Sequence, residues 1–277
     1  MPPRWRTCKK QCVAWGSFSA RVKYQQTLSS DIVCCRHDGG IEKGASMQFV
    51  FPPKPAAAVP IAGSDQLFPV HRIYCVGRNY AEHAKEMGSS GREAPFFFMK
   101  PADAVLPVAH GSIGEMPYPP MTQDLHHEIE LVVALSTGGK NIPAAEAVKH
   151  IWGYAVGLDM TRRDLQGEAK KLGRPWCTGK GFDYSAPISP IHPVGATGVI
   201  EQGDIHLDVN GTLRQKGDIK QMIWNIAETI EQLSAYFELQ AGDLIFTGTP
   251  AGVAAVGKGD LLEGSVAGVG DLRVRLV

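Results

Sequence analysis

Two acidic side chains lie in an apolar stretch that otherwise predicts a buried strand. The stretch HHEIELVVAL begins at His126 and places Glu128 and Glu130 two residues apart. Because successive side chains of a strand point to opposite faces, these two carboxylates share a face with His126. Two carboxylates on one face repel each other, and each is costly to desolvate alone. A divalent cation bound between them would remove both penalties.

Taken alone, the two glutamates are explained better by an edge strand whose polar face lies in solvent. Asp159 changes this balance, because it ends another apolar strand, GYAVGLD, at a point where side chains project into clefts. Three carboxylate ligands suit a hard cation and leave coordination positions for water and substrate, which favours Mg²⁺ or Mn²⁺. His126 keeps Zn²⁺ as a minor alternative.

The elements that must position these residues are mostly short strands. The predicted strands are Arg72–Gly77, PFFFMK, Glu128–Leu135, Trp152–Asp159, two arms of a hairpin turning at Asn210-Gly211, LIFTGTPAGV running into a glycine loop, and the alternating C-terminal DLRVRLV. The predicted helices are Asn79–Gly88, PAAEAVKHI, Thr161–Gly173 with Thr161 and Asp164 close to a capping box, and Ile219–Phe237. Strands outnumber helices and most connections look like hairpins, which favours an α+β fold with a mainly antiparallel or mixed sheet.

Seven segments follow one another in a distinctive order from about Arg72 to the C-terminus. They are YCVGRNYAEHAKEMG, PFFFMKP, HHEIELVV, GYAVGLDMTRRDLQ, KGFDYSAPISP, VNGTLRQKG and GDLIFTGTPAGV. In this order the chain resembles the fumarylacetoacetate hydrolase family, most closely its small acylpyruvate and fumarylpyruvate hydrolases. The resemblance implies a mixed β-sandwich roll with short flanking helices, and a homodimer. It also implies a Mg²⁺ or Mn²⁺ site at Glu128, Glu130 and Asp159, in agreement with the strand geometry.

The resemblance further implies a small-molecule 2-oxo acid substrate with a second carbonyl at position 4. Hydrolysis of the bond between carbons 3 and 4 needs attack by water on carbon 4. It also needs stabilisation of the pyruvate enolate left behind, which a metal ion can provide as a Lewis acid. The expected activity is therefore hydrolysis of fumarylpyruvate or another acylpyruvate to pyruvate and a carboxylic acid, in aromatic-compound catabolism.

A general base must activate the water, and His83 with Glu86 is the candidate pair. The two residues are three apart on a short predicted helix and so share a face. A carboxylate beside an imidazole fixes its tautomer and raises its basicity, which suits a base near neutral pH. The alternative is a surface helix with ordinary solvated charges.

Further candidates flank the metal ligands. Lys180, in CTGKGFDYS, is expected to stabilise the developing enolate or a substrate oxygen. Arg163 and Gln166, one helical turn apart after the third carboxylate, are expected to hold a substrate carboxylate and to position water or the 4-oxo group. Gly248 and Thr249, in TGTP, offer backbone N–H groups and a hydroxyl to an anionic substrate. Each of these candidates has a non-functional alternative, as a solvated side chain or an ordinary turn. The segment PFFFMKP is interpreted as mostly structural.

Two other functions remain open. The same site could decarboxylate oxaloacetate, or isomerise or hydrate an unsaturated 2-oxo acid; only hydrolysis needs the water-activating pair, which favours hydrolysis. A non-catalytic metal-dependent protein that binds 2-oxo acids is the alternative of another class. The acyl group is not readable, because Arg162, Arg163 and Arg174 are equally able to meet a second carboxylate.

The first 46 residues differ in composition from the rest. They contain four of the six cysteines and a basic excess, whereas residues 47–277 hold 20 basic and 25 acidic residues, a formal charge of −5. The mildly acidic charge of residues 47–277 argues against nucleic-acid binding. No run of apolar residues is long enough to span a membrane. The few scattered cysteines of this part indicate a reducing compartment, the cytoplasm. The segment 1–46 is expected to be a disordered leader, either a transit segment or an extension upstream of a start at Met47. An extended Pro/Ala-rich arm is predicted for 47–69 and the catalytic domain for 70–277.

Overall fold

The computed structural model describes residues 49–86 and 92–277, and the side chains of residues 84–86 are not among those described. The chain divides into two units, Met1–Lys54 and Pro55–Val277. The predicted leader lies outside the described residues. No helix in the described ranges is long and apolar enough to cross a membrane.

Short strands make up most of the regular structure in the described ranges. The strands are β1 Ala58–Pro60, β2 Leu67–Pro69, β3 Ile73–Gly77, β4 Phe96–Lys100, β5 Val105–Pro107, β6 Gly114–Met116, β7 Leu125–His126, β8 Ile129–Leu135, β9 Ile151–Leu158, β10 Thr161–Arg162, β11 Ala186–Ile188, β12 His192–Pro193, β13 Asp204–Val209, β14 Thr212–Asp218, β15 Leu244–Phe246, β16 Ala255–Val256, β17 Leu261–Val266 and β18 Gly270–Leu276. The α-helices are α1 Ala81–Glu86, α2 Arg163–Lys171, α3 Cys177–Lys180, α4 Val194–Thr197 and α5 Ile226–Tyr236, and 3₁₀ helices span Ala102–Ala104, Ala144–His150 and Ile219–Gln221.

The central sheet is mixed and carries the residues of interest. Its strand order is β4-β3-β15-β8-β9-β11-β5, with β12 also paired to β9. The β3–β15 and β11–β5 pairs are parallel, and the other neighbours in this path are antiparallel. All seven residues of β8 are buried, as expected for a strand in the middle of a covered sheet. The predicted α+β class with mixed sheets is confirmed.

A second sheet covers one face of the central sheet. Its order is β14-β13-β17-β18-β6. Alternate apolar side chains of both sheets, such as Leu131, Leu207 and Leu262, form one buried core between them. The sheets approach closely at Gly264, where a Cβ atom would lie 2.5 Å from the Ile129 side chain. The predicted hairpin is confirmed, with positive φ at both residues of the Asn210-Gly211 turn.

The other face of the central sheet is covered by a smaller apolar cluster. The segment predicted as an extended arm contributes β1 and β2, which pair antiparallel. Val59 and Phe68 from this pair lie in one buried cluster with Ile73, Val132 and Phe246 of the central sheet. Burial on both faces explains why the central strands are almost continuously apolar.

Two helix predictions are wrong in detail. The capping box at Thr161 does not form: α2 begins at Arg163, its N-cap Arg162 has no side-chain cap, and the Thr161 hydroxyl donates instead to Glu128. The long helix over Ile219–Phe237 is interrupted, because a 3₁₀ turn and an irregular segment precede α5. A new capping box at Asn225 begins α5.

Asn79 explains the interruption. Its backbone carbonyl accepts from Ile223 N, and its side-chain Oδ1 accepts from Trp224 N at 2.8 Å. Its Nδ2 donates to Trp224 O at 2.9 Å and to Thr247 O at 2.7 Å. These bonds occupy backbone groups that a continuous helix would have used, and they tie the end of β3 to the TGTP loop.

Asn79→Ala should therefore lower the free energy of unfolding by about 2–3 kcal/mol, since buried backbone groups would lose their partners. Chemical denaturation of the variant measures this. Gln123→Ala, at an exposed amide, is the matched control and should change stability by less than about 0.5 kcal/mol. Equal stability of the two variants would show that the Asn79 bonds are dispensable.

Candidate metal centre and active-site cleft

Three buried carboxylates converge where β8 begins and β9 ends. Glu128 directly precedes β8, Glu130 lies in it, and Asp159 directly follows β9. The two strands are antiparallel neighbours, and Asp159 N donates to Glu128 O at 2.9 Å. One carboxylate oxygen from each residue lies within 4.8 Å of the others. The edge-strand alternative is wrong, because β8 lies between β15 and β9.

His126 does not join this group. It belongs to β7, which pairs with β10 and β16, and residues 127–128 separate β7 from β8. The expected alternation from His126 to Glu130 is therefore broken, and the His126 Nε2 atom lies 2.9 Å from Asp124 Oδ1. Oxygen atoms alone then form the donor set, which fits Mg²⁺ or Mn²⁺ better than Zn²⁺.

Three cationic side chains contact two of the carboxylates. The Lys180 ammonium, 2% exposed, donates to Glu128 Oε2 at 2.9 Å and to Asp159 Oδ2 at 2.6 Å. Lys100 Nζ lies 2.8 Å from Asp159 Oδ1, and Arg163 Nη2 lies 2.5 Å from Glu128 Oε1. Burial by itself would raise the pKa of Glu128, but Lys180 and Arg163 outweigh it and lower that pKa. Burial would likewise lower the pKa of Lys180, but Asp159 and Glu128 outweigh it, so the group stays charged.

Glu130 is held differently. It accepts a hydrogen bond from Gly248 N at 2.8 Å, and no cationic side chain of the described residues lies within ion-pair distance of it. Burial, followed by repulsion from Asp159 and Glu128, raises its pKa well above the usual range. A buried carboxylate beside two others and without a cation is what a bound dication would stabilise. The three residues therefore fit a divalent metal site.

A cleft opens beside the three carboxylates. It is lined by Val76, Gly77, Arg78, His83, Phe96, Phe98, Glu128, Glu130, Arg163, Gln166, Trp176, Lys180 and Thr249. Most of the predicted site residues are thus brought to one place. Asp159 and Gly248 reach the cleft through their bonds to Lys180 and Glu130. The side chain of Glu86 lies outside the described residues.

His83 lies on α1 and is buried, in contrast to a solvated helix face. It is close enough to Glu128 that a charge on its imidazole would help to lower the pKa of that carboxyl. Arg163 and Gln166 contact each other, with Nη1 donating to Oε1 at 2.7 Å. Since Arg163 also pairs with Glu128, its guanidinium is already engaged by a candidate metal ligand.

Lys100 is a site residue that the sequence prediction missed. Besides its contact with Asp159, its ammonium donates to the carbonyls of Met160 and Lys180. A signal was present in the sequence: in β4, Phe96, Phe98 and Lys100 alternate onto one face, and both rings line the cleft. PFFFMKP is therefore part of the site as well as of the sheet.

Gln215 positions one wall of the site. Its Oε1 accepts from Ile129 N at 3.1 Å and lies 2.8 Å from His127 Nδ1. Burial lowers the pKa of His127 to about 4, so its ring is neutral. Because the amide oxygen of Gln215 can only accept, His127 Nδ1 is the donor of this hydrogen bond. The Gln215 Nε2 donates to Thr249 Oγ1 at 2.8 Å, which leaves the Thr249 hydroxyl proton free to donate towards the cleft. No local sequence pattern indicated this link, because the residues are far apart in the chain.

The fold and the three clustered carboxylates agree with a comparison of this chain with known protein families. The family model for the fumarylacetoacetate (FAA) hydrolase C-terminal region matches residues 72–277. The chain belongs to the fumarylacetoacetate hydrolase family. Its predicted resemblance is thereby confirmed.

Several members of the fumarylacetoacetate hydrolase family are similar over most of the chain. Fumarylpyruvate hydrolase from Pseudomonas aeruginosa, solved with Mn²⁺ and pyruvate, is 55% identical with a TM-score of 0.82, covering 83% of this chain and 99% of that one. Fumarylpyruvate hydrolase from Ralstonia sp is 44% identical over 180 residues, 65% of this chain and 91% of the relative. The mitochondrial oxaloacetate tautomerase FAHD1 of Rattus norvegicus is 43% identical over 204 residues, 74% of this chain and 90% of the relative.

Proposed function

We propose that this protein hydrolyses the bond between carbons 3 and 4 of a 2,4-dioxo acid, fumarylpyruvate or another acylpyruvate, to pyruvate and a carboxylic acid. One observation carries the proposal: three buried carboxylates converge beside a cleft that His83 and Lys180 also line. The similarity to a fumarylpyruvate hydrolase with Mn²⁺ and pyruvate supports it. Glu128, Glu130 and Asp159 would hold Mg²⁺ or Mn²⁺. When bound there, the ion supplies a Lewis acid where the enolate charge of pyruvate develops.

The side chains divide the remaining work. His83 takes a proton from the attacking water as its oxygen bonds to carbon 4, and Glu86 orients the imidazole. The bond between carbons 3 and 4 then breaks as carbon 4 becomes the carboxylic acid, and its electron pair stays on carbon 3. The proton that His83 took from the water is returned to that carbon, which gives pyruvate. Lys180, whose ammonium stays charged, stabilises the negative charge during cleavage. Gln166 and Thr249 donate to substrate oxygens, the latter with the proton that Gln215 leaves free.

A second candidate is tautomerisation or decarboxylation of oxaloacetate. The similarity to an oxaloacetate tautomerase supports it. Both candidates use an enolate of a 2-oxo acid, and only hydrolysis requires water activation by His83 and Glu86. A buried histidine in the cleft favours hydrolysis. We also propose that the protein is a homodimer and is located in the cytoplasm. The two described cysteines, Cys75 and Cys177, are free thiols, which supports a reducing compartment.

The deciding experiment offers the protein, with Mg²⁺ or Mn²⁺, three substrates in parallel: fumarylpyruvate, acetylpyruvate and oxaloacetate. Loss of the diketo absorbance and release of pyruvate report hydrolysis, and enol absorbance reports tautomerisation. Hydrolysis of either dioxo acid at a kcat/KM well above that for oxaloacetate supports the proposal. Turnover of oxaloacetate alone would replace it with the second candidate.

His83→Ala should lower kcat for hydrolysis roughly 10²- to 10⁴-fold, the usual contribution of a general base. Any turnover of oxaloacetate should fall less, because it needs no activated water. His110→Ala, at an exposed histidine, is the control and should hydrolyse at the wild-type rate. Unchanged hydrolysis in His83→Ala would remove this residue from the mechanism.

A further inference from the structure

Arg78 lies in the wall of the cleft and has no acidic partner among the described residues. It follows β3 directly, is half-buried, and lines the cleft next to Phe96. Its guanidinium lies 5.3 Å from the centre of the Phe96 ring. Within the described residues no carboxylate lies within ion-pair distance of it, whereas most buried cations in proteins are paired. A free guanidinium facing a substrate cleft is a ready site for an anion.

The backbone holds Arg78 in this place. Its φ is +54°, a left-handed conformation that is uncommon for residues other than glycine. The preceding Gly77 pairs with Phe96 across β3 and β4, and the Phe96 ring lies directly over it. The following Asn79 is fixed by its bonds to Trp224 and Thr247. A constrained neighbour on each side keeps the side chain beside the ring.

The three arginines that the sequence left undecided each have other partners, although Arg163 lines the cleft as well. Arg163 pairs with Glu128 and Gln166. Arg162 stacks on the Phe182 ring at 4.4 Å and donates to a backbone carbonyl. Arg174 is 66% exposed and lies 3.8 Å from Glu168. None of them presents a free guanidinium to the cleft.

The cleft continues past Arg78 into a second, shallow hollow. The two spaces share Gly77, Arg78 and Phe96, and the hollow is further lined by Glu93 and Trp224 among others. A substrate longer than its pyruvate part can therefore extend along the Phe96 ring towards Arg78. The flat Phe96 ring suits a planar unsaturated segment of a substrate. Glu93 is the only acidic residue among the described residues that line the hollow.

We propose that Arg78 binds a second carboxylate at the far end of the acyl group, and that the preferred substrates are accordingly dicarboxylic 2-oxo acids. This inference rests on the proposed hydrolysis of a dioxo acid and names its substrate class. The planar fork of a guanidinium matches a carboxylate through two parallel hydrogen bonds. Fumarylpyruvate carries such a terminal carboxylate, whereas acetylpyruvate does not.

A binding test isolates this carboxylate from catalysis. Calorimetry with the Mg²⁺-loaded protein compares 2-oxoheptanedioate with 2-oxoheptanoate, two ligands of equal length that differ in the terminal carboxylate and lack a cleavable diketone. The dioate should bind roughly 10- to 100-fold more tightly, the effect of one charged hydrogen-bonded contact. Arg78→Met should abolish this preference, and Arg78→Lys should keep part of it. Equal binding of the two ligands by the wild type would overturn the inference without any variant.

The variants then test the assignment to Arg78. Arg78→Met should lower kcat/KM for fumarylpyruvate roughly 10- to 100-fold more than kcat/KM for acetylpyruvate, mainly through KM. Arg174→Met is the control and should keep the preference for the dioate. Loss of the preference in Arg174→Met instead, or an equal loss on both substrates in Arg78→Met, would contradict the inference. If the wild type cleaves neither dioxo acid, the proposed hydrolysis fails, while the calorimetric comparison still decides the role of Arg78.

Discussion

Asp159→Asn should destabilise the protein in the absence of added metal, whereas Glu130→Gln should not, although both should abolish metal binding and activity. The reason lies in their partners. Asp159 is contacted by two buried ammonium groups, those of Lys180 and Lys100. Removing its charge leaves the Lys100 ammonium without its carboxylate partner and the Lys180 ammonium with Glu128 alone. Breaking a buried ion pair in this way costs about 3–5 kcal/mol.

Glu130 has no such cation among the residues that the structure describes, and its hydrogen bond from Gly248 can be kept by a glutamine. Burial and the two neighbouring carboxylates already disfavour a charge on Glu130 without metal, so a neutral glutamine fits the same place. The stability of Glu130→Gln without metal should thus stay within about 1 kcal/mol of the wild type, or rise. With either ligand lost, kcat/KM should fall roughly 10³-fold or more, since the ion contributes several kcal/mol.

Thermal unfolding with and without Mn²⁺ measures both effects. The wild type should gain about 2.7 kcal/mol at a metal concentration 100 times its Kd, and both variants should lose this gain. Glu115→Gln, at an exposed acid, is the control and should respond to metal as the wild type does. A full metal-induced gain in either ligand variant would refute the assigned metal site.

Lys180→Met should have the second large effect. Its ammonium is shared between Glu128 and Asp159, so its removal leaves a surplus of buried negative charge. Without metal the variant should lose about 3–5 kcal/mol of stability. Saturating Mg²⁺ should narrow this gap, because the ion supplies part of the missing positive charge.

Activity separates the catalytic role of Lys180 from charge compensation. If the ammonium stabilises developing enolate charge, kcat should remain roughly 10²- to 10³-fold low even at saturating metal, where stability has recovered. Lys171→Met, at an exposed lysine, is the control and should match the wild type in both measurements. Recovery of kcat together with stability would restrict Lys180 to a structural role.

Local patterns in the sequence were sufficient for much of the sheet. The Asn210-Gly211 turn and the alternation around it are set by neighbouring residues, and the hairpin forms as predicted. Helix boundaries were predicted less well. The interruption before α5 comes from Asn79, which lies about 145 residues away and competes for the backbone groups of Trp224. Apolar periodicity cannot register such a competitor, because it reports only which face of a segment is buried.

The three carboxylates of the proposed metal site were predictable for a related reason. Carboxylates in an apolar strand carry a desolvation cost that needs a compensating charge, and this cost is visible from residue types alone. The same logic would have found Lys100, which alternates with Phe96 and Phe98 onto the face of β4 that meets the cleft.

The sequence by itself therefore determined which residues are costly to bury and which strands must be covered on both faces. The tertiary structure decided which of them meet. The antiparallel pairing of β8 with β9 brings Asp159 to Glu130, the separation of β7 from β8 excludes His126, and the strand end at Gly77 leaves Arg78 beside the cleft. These juxtapositions depend on strand pairing between distant segments. Pairing is fixed by the packing of the whole core, since each strand alone is compatible with several neighbours.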